Sequence, residues 1–126
     1  SMDKISKNHT AFNTVSGGIG IFAGQEPVLT LMVARSRKMC EMQFALWEEC
    51  RRYMTGINNH YSPDAWMPHI TLLHQQNQKN EICNTLEKTV NRDISFSVCI
   101  DNLSLIYLDK EKAGLLRRFD LMSPVN

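Results

Sequence analysis

The stretch VLTLMVA, residues 28–34, is a run of apolar and β-branched side chains with one polar residue in it. Its apolar residues do not alternate with polar ones, and such a run favours a strand that is covered on both faces. The preceding AGQEP, residues 23–27, carries the glycine and proline that are typical of a turn. We therefore predict that residues 28–34 form the central strand of a sheet.

Upstream of this strand, residues 9–15 alternate loosely, as is typical of an edge strand. The pattern breaks at Ser16-Gly17-Gly18 and resumes over residues 19–22. Downstream, Ser36 predicts the N-cap of a helix that runs to about Met54. Its apolar residues recur at steps of three and four, the pattern of a core-facing stripe, so we assign them no ligand. The stripe comprises Met39, Met42, Leu46, Cys50 and Tyr53, widened by Phe44, Trp47 and Met54.

The second half of the chain predicts further strands around one helix. A strand over residues 68–74, a turn over 77–80 and a helix over 80–91 are followed by alternating residues at 94–100. Asp101-Asn102 interrupts this alternation as an expected bulge, after which Leu103, Leu105 and Tyr107 continue it and residues 115–121 form a last strand. The predicted fold is α+β, a mostly antiparallel sheet with two helices packed on it, in one domain over residues 1–126.

Composition narrows the classes of function. A net charge of +1 excludes the broad basic surface of a duplex-binding protein, and we interpret the Arg35-Arg37-Lys38 and Arg51-Arg52 clusters as solvated helix positions. None of the four cysteines forms a C-x-x-C pair, so we predict no zinc site and a reducing compartment. We expect no other metal and no cofactor. Without an apolar run of membrane length or a signal peptide, we expect an intracellular (cytoplasmic or nuclear) protein that does not bind a membrane. Ser1 before Met2 is expected to be a cloning remnant.

The candidate catalytic side chains lie in PHITLLH, residues 68–74. Side chains of a strand alternate between its faces, so His69 and Thr71 are predicted on one face and His74 on the other. An imidazole can give or take a proton near neutral pH, and a hydroxyl can donate a hydrogen bond to a phosphate oxygen. A histidine beside a threonine on a strand is also common in structural sheets, so this spacing by itself leaves both interpretations open.

The longer stretch YSPDAWMPHITL, residues 61–72, resembles the second motif of the two-histidine phosphoesterase superfamily, in particular its 2′-5′ RNA ligase-like branch. GGIGIFAGQEPVLTLMVARS, residues 17–36, and FSVCIDNLSL, residues 96–105, resemble the flanking elements, so the likeness covers nearly the whole chain. The resemblance implies two opposed H-x-T/S motifs in two lobes, where histidines act as general base and acid on a 2′,3′-cyclic or 2′-5′ phosphodiester without metal. It assigns His69 an acid–base role and Thr71 phosphate binding.

The first motif of that family is expected before residue 17 and is not visible in this sequence. His9 lacks the H-x-T spacing, His60 lies in a loop nine residues before His69, and His74 is predicted on the opposite face. The chain therefore resembles an incomplete domain, explained by loss of activity, by a homodimer or domain swap that opposes two copies of the motif, or by another chain that completes the site. A non-catalytic nucleotide- or RNA-binding or regulatory module is the alternative function.

Two aromatic residues near the motif are candidates for substrate binding. Tyr61 and Trp66 could stack on a base of a nucleotide or RNA partner, as aromatic side chains do in single-strand recognition. Trp66 could equally fill a core position beside Pro68, and this interpretation is favoured. Asp64 is expected to form a turn in the loop.

Overall fold

The computed structural model describes residues 1–74 and 79–125. Its helices and strands follow one another as α1 (Met2–Asn8), β1 (Phe12–Phe22), β2 (Val28–Val33), α2 (Arg37–Tyr53), a 3₁₀ turn (Asn59–Tyr61), β3 (His69–His74), α3 (Lys79–Thr89), β4 (Ser97–Ile100), β5 (Asn102–Asp109) and β6 (Lys112–Asp120). The turn predicted over residues 77–80 begins outside the described residues, and α3 already includes residue 80.

The predicted α+β class is confirmed, and the described residues form three α-helices rather than the two predicted. The strands form a curled sheet in the order β3-β2-β1-β4 and a separate hairpin of β5 and β6. The chain divides into two compact units. The first, which we call the sheet unit, comprises Thr14–Arg35 and Met67–Val98, and the second, the helix–hairpin unit, comprises Ser1–Asn13, Ser36–Trp66 and the chain from Cys99 onward.

Strand β2 is the central strand, as the sequence predicts. It pairs antiparallel with β1 on one side and with β3 on the other. Leu29 and Thr30 are fully buried, and Leu31 and Val33 are nearly so. The Thr30 hydroxyl donates to the Gly20 carbonyl at 3.0 Å, which satisfies the polar group that this buried run contains.

Strand β1 is continuous where the sequence predicts two pieces. Its pairing with β2 shifts register between Ser16 and Ile19, and Gly18 there has a φ of +116°, a conformation that glycine adopts without strain. The predicted break is therefore a bulge within one strand. Ser16 beside it is buried, and its hydroxyl donates to the Ile94 carbonyl at 2.6 Å and accepts from the Phe96 amide at 2.9 Å.

Helix α1 is absent from the sequence prediction, which starts an edge strand at residue 9. Seven residues are too few for a helix that is stable by itself, so the local pattern carries little signal. Tertiary contacts stabilise it: Ile5 and Ser6 are buried, and the helix contacts α2, β5 and β6 within the helix–hairpin unit. Lys7 donates to Asp3 at 2.7 Å and lowers the pKa of that carboxyl below its usual value.

The predicted stripe of α2 is core at one end only. Ser36 caps the helix by accepting from the Met39 amide, and Met39 and Met42 are buried as predicted. The later members are not core: Tyr53 and Met54 are exposed, as is Phe44, while Leu46, Trp47 and Cys50 are half-buried. In α3, Ile82 is buried and Leu86 is half-buried, but Val90 is exposed, contrary to its predicted inward position.

Asp101 separates two sheets and is not the bulge that the sequence predicts, because β4 belongs to the four-stranded sheet and β5 to the hairpin. Leu103 is buried at the base of the hairpin, whereas the alternating residues that follow it are exposed. Gly114 lies opposite Tyr107 and leaves the space in which the phenol ring lies against the backbone. The exposed apolar side chains of the hairpin are Leu105, Ile106, Tyr107, Leu108, Leu115 and Leu116.

Candidate functional site

A bulge in β3 decides which face each residue of PHITLLH occupies. Thr71 is opposite Thr30, but Leu73, two residues further on, is opposite the adjacent Leu29, so Leu72 is an extra residue in β3. Ile70 and Leu73 are half-buried, and the remaining residues of the strand are exposed. His69 and Thr71 therefore share the exposed face of the strand, as the alternation predicts.

The His69 imidazole is held at one nitrogen and, among residues 1–74 and 79–125, has no hydrogen bond at the other. Its Nδ1 lies 2.7 Å from the Met67 carbonyl oxygen. A carbonyl oxygen only accepts, so Nδ1 carries the proton, and in the neutral ring Nε2 is the unprotonated nitrogen. The ring of Phe22 lies edge-on to the imidazole, with 4.9 Å between centroids and 61° between planes. These two contacts orient the imidazole while its side chain stays exposed.

Thr71 presents a hydroxyl that is free to bind a ligand. Its side chain is exposed, and within residues 1–74 and 79–125 it has no hydrogen-bond partner. Thr71 is two positions from His69, about 7 Å along the strand, a span that one phosphate group can bridge from side chain to side chain. On the neighbouring strands, Thr71 is opposite Thr30, which is opposite Gly20, and the Met32 side chain occupies the space beside Gly20 on this face.

The prediction that His74 faces away from His69 is wrong. His69 is opposite Met32 and His74 is opposite Val28, and these two residues of β2 are separated by an even number of positions and share one face. The bulge at Leu72 supplies the change of face that a regular strand lacks. Met32 and Val28 are nevertheless four positions apart on β2, so the Cα atoms of the two histidines are about 13 Å apart along the sheet.

The other two histidines lie in the helix–hairpin unit. The Nδ1 atom of His9 donates to the Ile5 carbonyl at 2.9 Å and so helps to end α1. His60 is exposed in the 3₁₀ turn. Neither residue has the contacts of His69, in which a backbone carbonyl and an aromatic ring both orient an exposed imidazole.

Tyr61 and Trp66 also belong to the helix–hairpin unit, where both line a cavity of about 450 Å³ beside the end of α2. Trp66 is half-buried and Tyr61 is exposed, so neither is a fully buried core residue. The turn between them is closed by the Ser62 carbonyl, which accepts from the Ala65 and Trp66 amides at 3.0 and 2.9 Å. Asp64 lies within this turn, as predicted.

Gln43 and Trp47 line the same cavity, and neither is among the binding residues that the sequence predicts. The apolar stripe of α2 was interpreted as core, which concealed them. Gln43 was the available signal, because it is a polar residue one helical turn before Trp47 and one after Met39 on an otherwise apolar face. The cavity also explains why the end of that stripe is incompletely buried.

Charge around these residues is balanced. Arg37 pairs with Glu41 at 3.0 Å, and Arg51 pairs with Glu48 at the same distance. Arg52 lies 3.9 Å from Glu49, a carboxylate that also pairs with the N-terminal amine. These pairs agree with the prediction that the basic residues of α2 are solvated helix positions. Among the described residues, no group of three histidine, cysteine or acidic side chains could hold a metal ion.

Comparison with known proteins leaves the family undecided. No protein-family model matches the sequence, and no curated protein matches it with significant similarity. No helix within the described part of the chain is long and apolar enough to cross a membrane.

Proposed function

We propose that this protein is phosphoesterase-like and acts on RNA or nucleotide 2′,3′-cyclic or 2′-5′ phosphodiesters through His69 and Thr71. The observation that carries the proposal is the 2.7 Å contact between His69 Nδ1 and the Met67 carbonyl oxygen. With Nδ1 held by the Met67 carbonyl, Nε2 is the nitrogen that can exchange a proton with a ligand. The Thr71 hydroxyl on the same face, which has no hydrogen-bond partner among the described residues, supports a phosphate as that ligand, and so does the resemblance of PHITL to the two-histidine motif.

On a 2′,3′-cyclic phosphate the chemistry needs a base and an acid. Water adds to phosphorus while Nε2 of His69 takes its proton, and the bond from phosphorus to one ribose oxygen breaks. The leaving oxygen takes a proton from a general acid, and the product is a nucleoside monophosphate with a free hydroxyl. Thr71 donates to a non-bridging oxygen, where negative charge grows as water adds.

The acid is a second imidazole, and we propose that a second copy of the chain supplies it. The hairpin supports self-association, because β5 and β6 pair only with each other among the described strands. Ile106, Leu108 and Leu115 lie on one face of the hairpin and are each at least 60% exposed. Unpaired strand edges with exposed apolar side chains favour pairing with another chain.

The first test is hydrolysis of 2′,3′-cyclic AMP, followed by chromatography of the monophosphate product. His69→Ala should lower kcat/KM by about 10²-fold or more, the usual contribution of a general base. His74→Ala is the matched control, since it removes an exposed histidine from the same face of the same strand. It should retain turnover within about twofold, because His74 lies about 13 Å from His69. Equal losses in both variants, or unchanged turnover in His69→Ala, would remove His69 from the mechanism.

Thr71→Val tests phosphate binding with little change of side-chain volume. Loss of one donor to the developing negative charge should lower kcat by about 10²-fold. Thr71→Ser keeps the hydroxyl and should retain most of the activity. If the valine variant turns over like wild type, Thr71 does not hold the phosphate.

Self-association is tested by sedimentation velocity over a range of protein concentrations. We expect a dimer that Leu108→Lys dissociates, together with its turnover. Val125→Lys, which changes a nearly fully exposed apolar residue outside the hairpin, should leave the dimer intact. A monomer at all concentrations that still hydrolyses the substrate would show that no second copy is needed.

One observation favours a second candidate function. The sequence carries a single H-x-T motif, and a single acid–base group is enough to bind a phosphate but not to serve both oxygens of the reaction. A non-catalytic nucleotide- or RNA-binding module would bind a nucleoside monophosphate, lose it in Thr71→Val and show no turnover as wild type. Calorimetric titration beside the turnover assay separates the two functions.

A further inference from the structure

Phe22 and His69 contact each other although a whole strand lies between them. Phe22 is the last residue of β1, His69 is the first residue of β3, and β2 separates these two strands in the sheet. The centres of the two rings are nevertheless only 4.9 Å apart, and the ring planes meet at 61°. The contact therefore joins β1 to β3 above β2.

The curl of the sheet brings the two rings together. Phe22 is opposite Val28, whereas His69 is opposite Met32, four positions further along β2. In a flat sheet, two strand spacings across and four residues along would separate the Cα atoms of Phe22 and His69 by about 16 Å, too far for their rings to touch. The sheet is curled, and bulges in β1 and β3 add to its bending, so side chains converge on the face that carries both rings.

The burial of the residues on this face agrees with its concave shape. Thr30 is fully buried although it shares the face with the exposed His69 and Thr71. The Met32 side chain lies over Gly20, where an added Cβ atom would overlap its sulfur. The concave face is therefore packed at β2, where side chains from β1 and β3 converge.

The hydrogen bond to the Met67 carbonyl does not by itself fix the imidazole. A histidine side chain rotates about two bonds, and a contact at Nδ1 leaves a combined rotation about both that swings Nε2. The Phe22 ring opposes this rotation because it packs against the imidazole from the side of β1. A displacement of about 1 Å at a reacting group can cost about 10²-fold in rate, so the orientation of Nε2 matters for turnover.

We propose that Phe22 is a positioning residue for the hydrolysis, because it holds Nε2 of His69 toward the bound phosphodiester from the far side of β2. The proposal rests on the acid–base role proposed for His69 and adds a residue that acts through the imidazole and not on the substrate. The H-x-T spacing does not point to Phe22, because the residue belongs to another strand and only the curl of the sheet brings it to the site.

Turnover of 2′,3′-cyclic AMP by Phe22→Leu is the first test. Leucine stays apolar but removes the ring, so kcat should fall about tenfold or more, while KM stays within about twofold because Thr71 still binds the phosphate. Phe22→Tyr keeps the ring and should restore most of kcat. Phe96→Leu is the matched control, since it makes the same exchange at an exposed phenylalanine of the sheet unit, and it should leave kcat unchanged.

NMR of the imidazole nitrogens and protons reports the orientation separately from turnover. In the wild type, the neutral His69 ring should carry its proton on Nδ1 and show nuclear Overhauser effects to the Phe22 ring. In Phe22→Leu, the His69 signals should move toward those of His60, an exposed histidine whose ring has no such contact among the described residues. Destabilisation of a chain that is still folded would leave these signals in place, so this measurement separates positioning from a merely structural role.

Two outcomes would overturn the proposal. The first is turnover of Phe22→Leu at the wild-type kcat, which with a loss of turnover in His69→Ala would reject the positioning role alone. The second is a wild-type spectrum without an Overhauser effect between the two rings, a measurement that applies even if the leucine variant fails to fold. Unchanged turnover in His69→Ala would instead reject the phosphoesterase proposal itself, so the two failures are distinguishable.

Discussion

Strand β2 and the β5–β6 hairpin have similar apolar sequences and opposite surroundings. In β2, Leu29 is fully buried and Leu31 nearly so, because strands pair on both sides of it. In the hairpin, Leu108 is 77% exposed and Ile106 is 64% exposed. An apolar sequence pattern therefore predicts that a strand forms. Whether that strand is buried depends on which other elements pack against it, and the pattern does not contain this information.

The largest expected effect comes from truncating the buried member of this pair. Leu29→Ala should lower the free energy of unfolding by about 3 kcal/mol, because it removes buried methyl groups and leaves a cavity in a packed sheet. Leu108→Ala removes the same atoms from an exposed position and should change it by about 0.5 kcal/mol or less. Urea denaturation at low protein concentration measures both.

The same two variants also test whether the hairpin is exposed in solution, as it is in the structure. If Leu108→Ala is strongly destabilising in concentrated protein and neutral in dilute protein, the hairpin is buried in an assembly and is exposed only in the single chain. If it is strongly destabilising at every concentration, the hairpin is covered within one chain. The second result would contradict its exposure in the structure.

A smaller effect on stability is expected at two serines, one in β1 opposite β2 and one in the hairpin. Ser16→Ala removes a buried hydroxyl that bonds both the Ile94 carbonyl and the Phe96 amide, and should cost about 1–3 kcal/mol because these groups lose their partner. Ser104→Ala removes an exposed hydroxyl of β5 that donates to Asn102, and water can replace that bond. Thermal unfolding followed by circular dichroism should separate the two, and equal Tm values would contradict the proposed role of Ser16.

Sequence patterns predicted the elements of the sheet well and its irregularities poorly. The run at residues 28–34 predicted a buried central strand because every residue but one is apolar. The bulge in β1 was interpreted as a chain break, since Gly17-Gly18 has the composition of a turn as well as of a bulge. Helix α1 was missed because seven residues carry little local signal and its stability comes from contacts within its unit.

The sequence likewise predicts one part of the candidate site correctly and another part wrongly. Alternation placed His69 and Thr71 on one face correctly, because only one residue, Ile70, lies between them. The same rule failed for His74, because Ile70, Leu72 and Leu73 are all apolar and do not reveal which of them is the extra residue. The hydrogen bond from His69 to the Met67 carbonyl was also invisible, since backbone acceptors leave no mark in a sequence.

The smallest expected effect on stability concerns two arginines of the hairpin, where exposed polar contacts take the place of buried apolar contacts. The Arg117 guanidinium lies 4.7 Å from the centre of the Phe119 ring, an exposed cation–π contact. Arg117→Ala should lower the stability of the hairpin by about 0.5 kcal/mol, measured as faster hydrogen exchange of the β5 and β6 amides. Arg118→Ala, whose ion pairs with Asp120 and Asp101 are exposed, should alter exchange less, and this smaller effect should disappear in high salt, which screens exposed ion pairs. If Arg117→Ala leaves exchange unchanged while Arg118→Ala accelerates it, ion pairs hold the hairpin and the aromatic contact does not.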